Sequence, residues 1–425
     1  MKKIIFLICL LALSFYSCAI RNYLNSSGTL DETKTFYGQM INNGKAAGWF
    51  NVPCKLIKTT DHLAIYLQTK FHKKSQLSEE ERDISLYALN KLVQEFDYYY
   101  DEITNIYGGH TDIDANSKII ILLMDINFNN KGSKVLGYFN PLDMHGYNEG
   151  EILYMDLSSA NSDIDKSIGT MIHEFQHLIN YSYVVSGTRR EMDAWLNESL
   201  SESTSILFNK STAETRIKEF NNINYYCFYT WNIPTNVSNN GKPNGLVNYP
   251  SASVFMNWLY MKSGTNREIF KKIAQSKESA DYMKVLKAAQ GISDLGVSSW
   301  EDLLLTWMSY IVTNCDKPLA VGDTNVKFKT NSGSTNLYPG AMVVYNGSYT
   351  SSGNNNIVAR TNNGNIIVLN KDTTLSGATP IRVSLNGSSI STTIAARQSI
   401  VVENKKSENK TINILLDENG NIQND

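Results

Sequence analysis

The stretch that most constrains this 425-residue chain is His-Glu-Phe-Gln-His at 173–177. An α-helix turns 100° per residue, so side chains four apart stand one above the other on one face. The neighbours ask for a helix here. Ile168, Ile172, Phe175 and Ile179 recur at i, i+4, i+7 and i+11 and predict one over 166–182. That stripe packs in a neighbouring direction and leaves His173 and His177 looking into a cleft, close enough to share one ion. Glu174 sits too far round to join them easily, but it can reach an attacking water. The plain alternative is a pair of solvated histidines on a helix.

A third ligand decides between these readings. A catalytic zinc takes three protein ligands and keeps one position open. Glu198 follows His177 after twenty intervening residues, in Trp-Leu-Asn-Glu-Ser-Leu-Ser-Glu, and opens a second helix expected over 193–208. Asp193 is its expected N-cap. Two histidines on one helix and this carboxylate on the next give a His₂Glu set. Glu202, one turn beyond Glu198, is placed to accept a hydrogen bond from the far nitrogen of a ligand histidine and so fix its orientation. The competing reading of Glu202 is an exposed helix carboxylate.

The ends of the chain have a different character. Lys2 and Lys3, the apolar run Ile4 to Leu13 and small residues beyond it read as a secretory signal over 1–18, too short to span a bilayer comfortably. Two cleavage readings stand. One cuts before Cys18, which then carries lipid and gives the only expected membrane association. The other cuts after Ala19, with Ser17 and Ala19 as the small residues. Either way the expectation is a bacterial protein that is exported, as a cell-envelope lipoprotein or in secreted form. Beyond the signal only Cys54, Cys227 and Cys315 remain, so the core and not a disulfide framework holds the fold. A net charge of −2 makes no case for nucleic acid.

Between these features the chain reads as follows. Residues 19–50 are polar and expected to be a tether. An N-terminal α/β lobe is expected over 51–165: strand signals at 54–67 with a turn at Thr59 to Asp61, then a long helix with a Ser78–Glu81 capping box and a stop at Gly108 and Gly109. The apolar run 118–126 reads as a central strand, and 151–157 as a shorter one. The two metal-bearing helices open a helical lobe over 166–318, in which 209–250 reads as irregular and Ser298 with Glu301 as a further capping box. Over 322–425 short alternating strands between Asn-Gly and Ser-Gly turns predict an all-β, sandwich-like module. The expected class is therefore α+β, with a mixed sheet, an active-site helix, a helical lobe and a C-terminal β module.

In the order Asp112–Ile126, Gly137–Pro141, Glu151–Leu157, His173–Asn180 and Trp195–Glu202, these segments resemble the gluzincin metallopeptidases, and within them the hyicolysin family. The resemblance runs from about residue 80 to 210, weakens to 315 and is absent from the β module. It implies a two-lobed zincin catalytic domain with the metal between the lobes, one catalytic Zn²⁺ held by His173, His177 and Glu198, Glu174 as the base, and secreted endopeptidase activity on protein or peptide substrates. In such enzymes an edge strand can pair with an extended substrate, and 151–157 is the strand expected to do so here. The oxyanion needs a donor besides the metal; Tyr249, Tyr183 and His145 are the candidates, and spacing fixes none of them.

Asp112, Asp114 and Asn116 begin like a calcium loop. Ser117 stands where the glycine belongs and Leu123 where a bidentate glutamate belongs, so the spacing does not support Ca²⁺ and favours a tight turn. The reading is an exported zinc endopeptidase, expected to be a monomer. Its rival is a surface binding or adhesion protein that keeps a metal-containing scaffold with little turnover; the intact Glu174 argues against it.

Overall fold

The apolar run at 119–124 forms β6, and it lies in the middle of a sheet because both of its faces are oily. In the computed structural model, which describes residues 30–42, 45–69, 71–73, 76–78, 83–127, 134–231, 245–347, 354–386, 389–394 and 415–416, the strands up to this point are β1 (Thr33–Asn42), β2 (Lys45–Thr59), β3 (Leu63–Gln68), the small hairpin β4 (Phe71–Lys73) and β5 (Gln76–Ser78), and β6 (Ile119–Met124). Then follow β7 (Lys134–Val135), β8 (Gly137–Phe139) and β9 (Ile152–Asp156). The main sheet runs β1-β2-β3-β6-β9-β8, with β3, β6 and β9 parallel and the outer pairs antiparallel.

One face of the sheet is covered by α1 (Leu86–Tyr107) and, after the short α2 (Leu157–Ser162), by α3 (Ile164–Val185). Ile65, Ile121, Leu123 and Met155 meet Leu92, Phe96, Ile172 and Phe175 there. On the other face Tyr66, Leu122, Met124 and Tyr154 pack against Phe36, Met40 and Val52 from β1 and β2, which curl over them. Each such side chain taken fully out of water contributes roughly 1.5–3 kcal/mol. The curl brings the two edges of the sheet together. Gln39 N–H donates to the Tyr138 hydroxyl at 2.7 Å, and that hydroxyl donates back to Gln39 O at 3.1 Å. Asn148 brackets Tyr37 in the same way, at 2.7 and 3.0 Å. Side chains thus satisfy the open edge of β1, which would otherwise be a template for another chain.

Several sequence expectations are corrected. Residues 33–42 and 45–50 are not tether: they form β1 and the start of β2. Phe36, Gly38 and Met40 point inward between polar neighbours, and a half-buried strand of this kind has the average polarity of a linker. The signal segment, Cys18 and the rest of 1–29 lie outside the described residues. The Ser78–Glu81 box does not start α1. Ser78 ends β5, 79–82 lie outside the described residues, and Ser85 caps the helix by accepting from Ala88 N–H. Asp193 holds the N-cap place before α4 (Ala194–Phe208) but makes no side-chain cap bond; its N–H is instead taken by Asp281 at 2.6 Å. The 209–250 stretch contains α5 (Lys210–Phe220), capped by Asn209, and the start of α6 (Gly245–Lys262), which runs through Pro250. Then come α7 (Glu268–Ala274), α8 (Asp281–Gln290) and α9 (Trp300–Thr313), whose cap is Ser299 with Asp302, one residue on from the expected pair.

Beyond a short pair, β10 (Lys317–Pro318) with β11 (Asn325–Val326), lie two three-stranded antiparallel sheets. One is formed by β12 (Thr335–Leu337), β16 (Ile381–Asn386) and β17 (Ser389–Ile394), the other by β13 (Met342–Asn346), β15 (Asn365–Asn370) and β14 (Ile357–Asn362). Met342, Val344, Ile367 and Leu369 share the core of the helices, and Met342 exchanges backbone hydrogen bonds with Tyr226. The run at 399–404 lies outside the described residues. From 411–416 the short β18 (Leu415–Leu416) pairs with β7 rather than with these sheets. At the level of class the chain is mixed α/β, with a curled sheet and several helices. Cys54, Cys227 and Cys315 are unpaired. No helix among the described residues is long and apolar enough to cross a membrane.

Candidate metal centre

The helix α3 is central rather than half-exposed: residues 167–180 are all buried. His173 and His177 stand on its inner face with Nε2 atoms 3.1 Å apart. Oε2 of Glu198, from α4, lies 3.4 Å from His173 Nε2 and 3.6 Å from His177 Nε2. Three ligand atoms from two helices therefore converge on one point, as the sequence spacing required. Ser201 of α4 faces α3, and Ser199, Ser203, Thr204 and Ser205 around it are likewise small and buried, so α4 is packed closely on every side.

The outer nitrogens of the two imidazoles show why Nε2 is the free one. His177 Nδ1 is 3.0 Å from Ser201 Oγ, which donates to Gln176 Oε1 at 2.6 Å. Since the hydroxyl's proton is directed to Gln176, Ser201 accepts from His177, whose proton is on Nδ1. His173 Nδ1 faces Glu202 Oε1 at 3.7 Å. His177 therefore turns its Nε2 lone pair toward Glu198, the tautomer a metal requires, and a proton on His173 Nδ1, on the side of Glu202, gives that ring the same arrangement.

The donor set fits zinc on a physical ground besides spacing. Glu198 Oε2 is buried and accepts no hydrogen bond, and neither does Glu174 Oε1. Two bare carboxylate oxygens beside two imidazole lone pairs form a pocket of unmet acceptors, costly unless a cation sits among them. Burial alone would raise the Glu198 carboxyl; positive charge on the facing imidazoles, in place of a cation between them, outweighs it and holds it down to about 2. Burial raises Glu174 to about 8, against the pull of His177. The other oxygen of Glu174, Oε2, accepts from the Phe139 N–H at 3.0 Å.

That bond corrects the assignment of the edge strand. The strand at 152–156 is β9, an interior one with a neighbour on each side; the edge is β8, residues 137–139. The three oxyanion candidates separate as well. Tyr249 is buried, with its ring 6.4 Å from that of His173, and its phenol is pushed well above the ordinary range by burial and then by Glu198 and Glu202. Tyr183 lies ten residues along α3 from His173, about 15 Å down the axis, under the Arg189 guanidinium. His145 is exposed and bonded to the Tyr181 hydroxyl at 3.0 Å. Of the three, only Tyr249 is beside the centre.

The sequence reading missed Ser201, Gln176 and Arg216. Arg216 pairs with Glu202 from α5, the helix that was not foreseen. A signal was present: the run Asn197 to Ser205 is polar on every side of a helix yet carries no basic residue, which suits a buried polar seam better than a surface. The calcium-like turn also gains a member. Asp112 and Asp114 come together with Glu151, which loop spacing could not include. Glu151 accepts from Thr111 Oγ1 at 2.7 Å and from Ile113 N–H at 3.0 Å.

No family model matches the chain. The chain is similar to the neutral metalloprotease ShpI of Staphylococcus hyicus, at 29% identity over 200 residues, which covers 43% of this chain and 44% of that protein. The chain thus spans less than half the length of this relative. Independently of that similarity, His173, His177 and Glu198 form a group that could hold a metal ion, two histidines four apart with a downstream glutamate.

Proposed function

We propose that the chain is an exported zinc endopeptidase of the gluzincin type, in which His173, His177 and Glu198 hold the ion and Glu174 is the base. The observation that carries this is the convergence of two Nε2 atoms and one carboxylate oxygen, with a glutamate from the same helix turn beside them. Zinc, when bound, supplies polarisation of the scissile carbonyl and a lowered pKa for the attacking water. The Oε1 of Glu174 has no donor of its own and takes the water's proton. Phe139 N–H holds the other oxygen, so the carboxylate cannot swing away. Burial, which raises the Glu174 carboxyl, favours its holding that proton until it passes to the departing amine. Tyr249 is the group closest to donating to the oxyanion.

Substrate is an extended peptide or protein segment that adds along the outer edge of β8. Phe139 turns its N–H away from β9 and gives it to Glu174, so by strand alternation the Gly137 backbone groups on the same edge are those left for a substrate. In this reading the helices after α3 form the second lobe, and the sheets beyond residue 335 form a C-terminal β module seated on it. Glu202 orients His173.

The test pairs zinc content with cleavage of unfolded casein, for the wild type and Glu174→Gln. The expected result is about one zinc in both proteins and cleavage by the wild type alone. Absence of zinc from both removes the enzyme reading. Zinc in both with no cleavage of a range of unfolded proteins favours a binding or adhesion role.

A further inference from the structure

We propose that Arg216 is a positioning residue for the metal centre, acting on His173 through Glu202. The proposal rests on the metal-ligand reading above. The Arg216 guanidinium donates from Nε to Glu202 Oε2 at 2.9 Å and from Nη2 to Glu202 Oε1 at 3.0 Å. Such a two-pronged pairing fixes a carboxylate in plane and angle, which a lysine cannot do. Its third nitrogen, Nη1, donates to Glu219 Oε2 at 3.0 Å, so the guanidinium is itself anchored. Its face lies 4.9 Å from the ring centroid of Tyr249, which in turn stands beside His173. One buried cation therefore touches the carboxylate behind one ligand and the aromatic ring nearest the centre.

Stability alone is a poor reason for this arrangement. A buried Arg–Glu pair is commonly matched by apolar residues of similar volume. What apolar residues cannot do is hold a carboxylate at a set angle to an imidazole. Glu202 needs that restraint, because it borders a cavity lined also by Thr170, His173, Ser205, Thr212 and Arg216. Without the guanidinium its side chain has room to turn away from His173 Nδ1, now 3.7 Å off. His177 needs no equivalent, since Ser201 and Gln176 hold it with neutral groups inside the helix pair.

The experiment is a double-mutant cycle on zinc affinity. Zinc dissociation constants are measured by competition with a chromophoric chelator for the wild type, Arg216→Met, Glu202→Gln and the double variant, with the melting temperature of each metal-free protein taken alongside. The expected result is a constant raised about 10- to 100-fold in each single variant, and a double variant no weaker than Glu202→Gln, because Arg216 acts through Glu202. Arg216→Lys is expected to fall between wild type and Arg216→Met. If Arg216→Met does not fold, Arg216→Lys and the double variant, which neutralises both Arg216 and Glu202, are read in its place. An arginine that only braces α5 against α4 would lower the melting temperature and leave the zinc constant unchanged in both backgrounds; that result overturns the proposal. A wild type without zinc overturns the metal reading beneath it, whereas a zinc-binding wild type with unaltered Arg216 variants overturns only the role of Arg216.

Discussion

Ser201 Oγ stands 3.0 Å from His177 Nδ1 and passes its own proton to Gln176 Oε1 at 2.6 Å. With its proton given to Gln176, the hydroxyl can only accept from His177, and it fixes the tautomer of His177. Ser201→Ala removes that acceptor and leaves a buried N–H unmet. Zinc affinity should fall about 10- to 100-fold, the usual effect of losing a group behind a ligand histidine. Ser201→Thr keeps the hydroxyl and should fall less. Equal zinc constants for wild type and Ser201→Ala in a chelator titration would show that the tautomer is set elsewhere.

Gly137 ties the edge strand to the base. A Cβ at this position would lie 2.7 Å from Tyr154 O and 3.0 Å from Thr170 Cγ2, so an alanine cannot fit without moving β8 away from β9 and α3. The Phe139 N–H moves with it and releases Glu174. Gly137→Ala should retain zinc, lose kcat by at least about tenfold, and lose about 1–3 kcal/mol of stability, the usual cost of an overpacked site. Unchanged kcat in a protein of unchanged stability would mean that β8 has slack and does not position the base.

What the sequence made legible follows from how local each signal is. The histidine pair, the apolar β6 and the helix of Glu198 are set by residues within a turn or a strand of one another, and all stand where spacing put them. The edge strand was misassigned because strand order depends on which segments pair across 15 residues or more, as Gly137 does with Met155. β1 was hidden because its inward residues alternate with Thr35, Tyr37 and Gln39. Arg216 was hidden because α5 is short and polar, and only its contact with Glu202 gives it meaning. Asp281 was invisible for the same reason: it caps a helix that begins 88 residues earlier.

Asp143 should make stability depend on pH in an unusual direction. Burial raises its carboxyl from 3.8 to about 7, although Tyr154 and Asn148 both donate to it. Between those values the folded chain binds more protons than the unfolded one, so stability falls as pH rises through this window. The full loss is on the order of 4 kcal/mol. Glu151, raised to about 7 mainly by burial, contributes in the same sense. Asp143→Asn cannot ionise and should flatten the profile of urea midpoint against pH between about 4 and 7. A slope as steep as that of the wild type would show that Asp143 does not titrate there.

Asp281 of α8 carries the last prediction, because it holds the helix that presents Glu198. Its carboxylate accepts the Asp193 N–H at 2.6 Å, which supplies the cap that the Asp193 side chain does not. It also pairs with Lys284 at 2.9 Å and Arg190 at 2.8 Å. Lys284 is buried, so removing its counter-ion strands an ammonium in the core, and such losses run to about 3–5 kcal/mol. Asp281→Ala should therefore show a clearly lower urea midpoint with an unchanged slope, and Asp281→Asn, which can still accept from the Asp193 N–H, a smaller drop. The double change Asp281→Ala with Lys284→Met should recover part of the loss, since it removes the stranded charge. If it recovers nothing, the cost lies in the α4 cap rather than in the ion pair, and zinc affinity should then fall in step with stability, because Glu198 sits in the second turn of that helix.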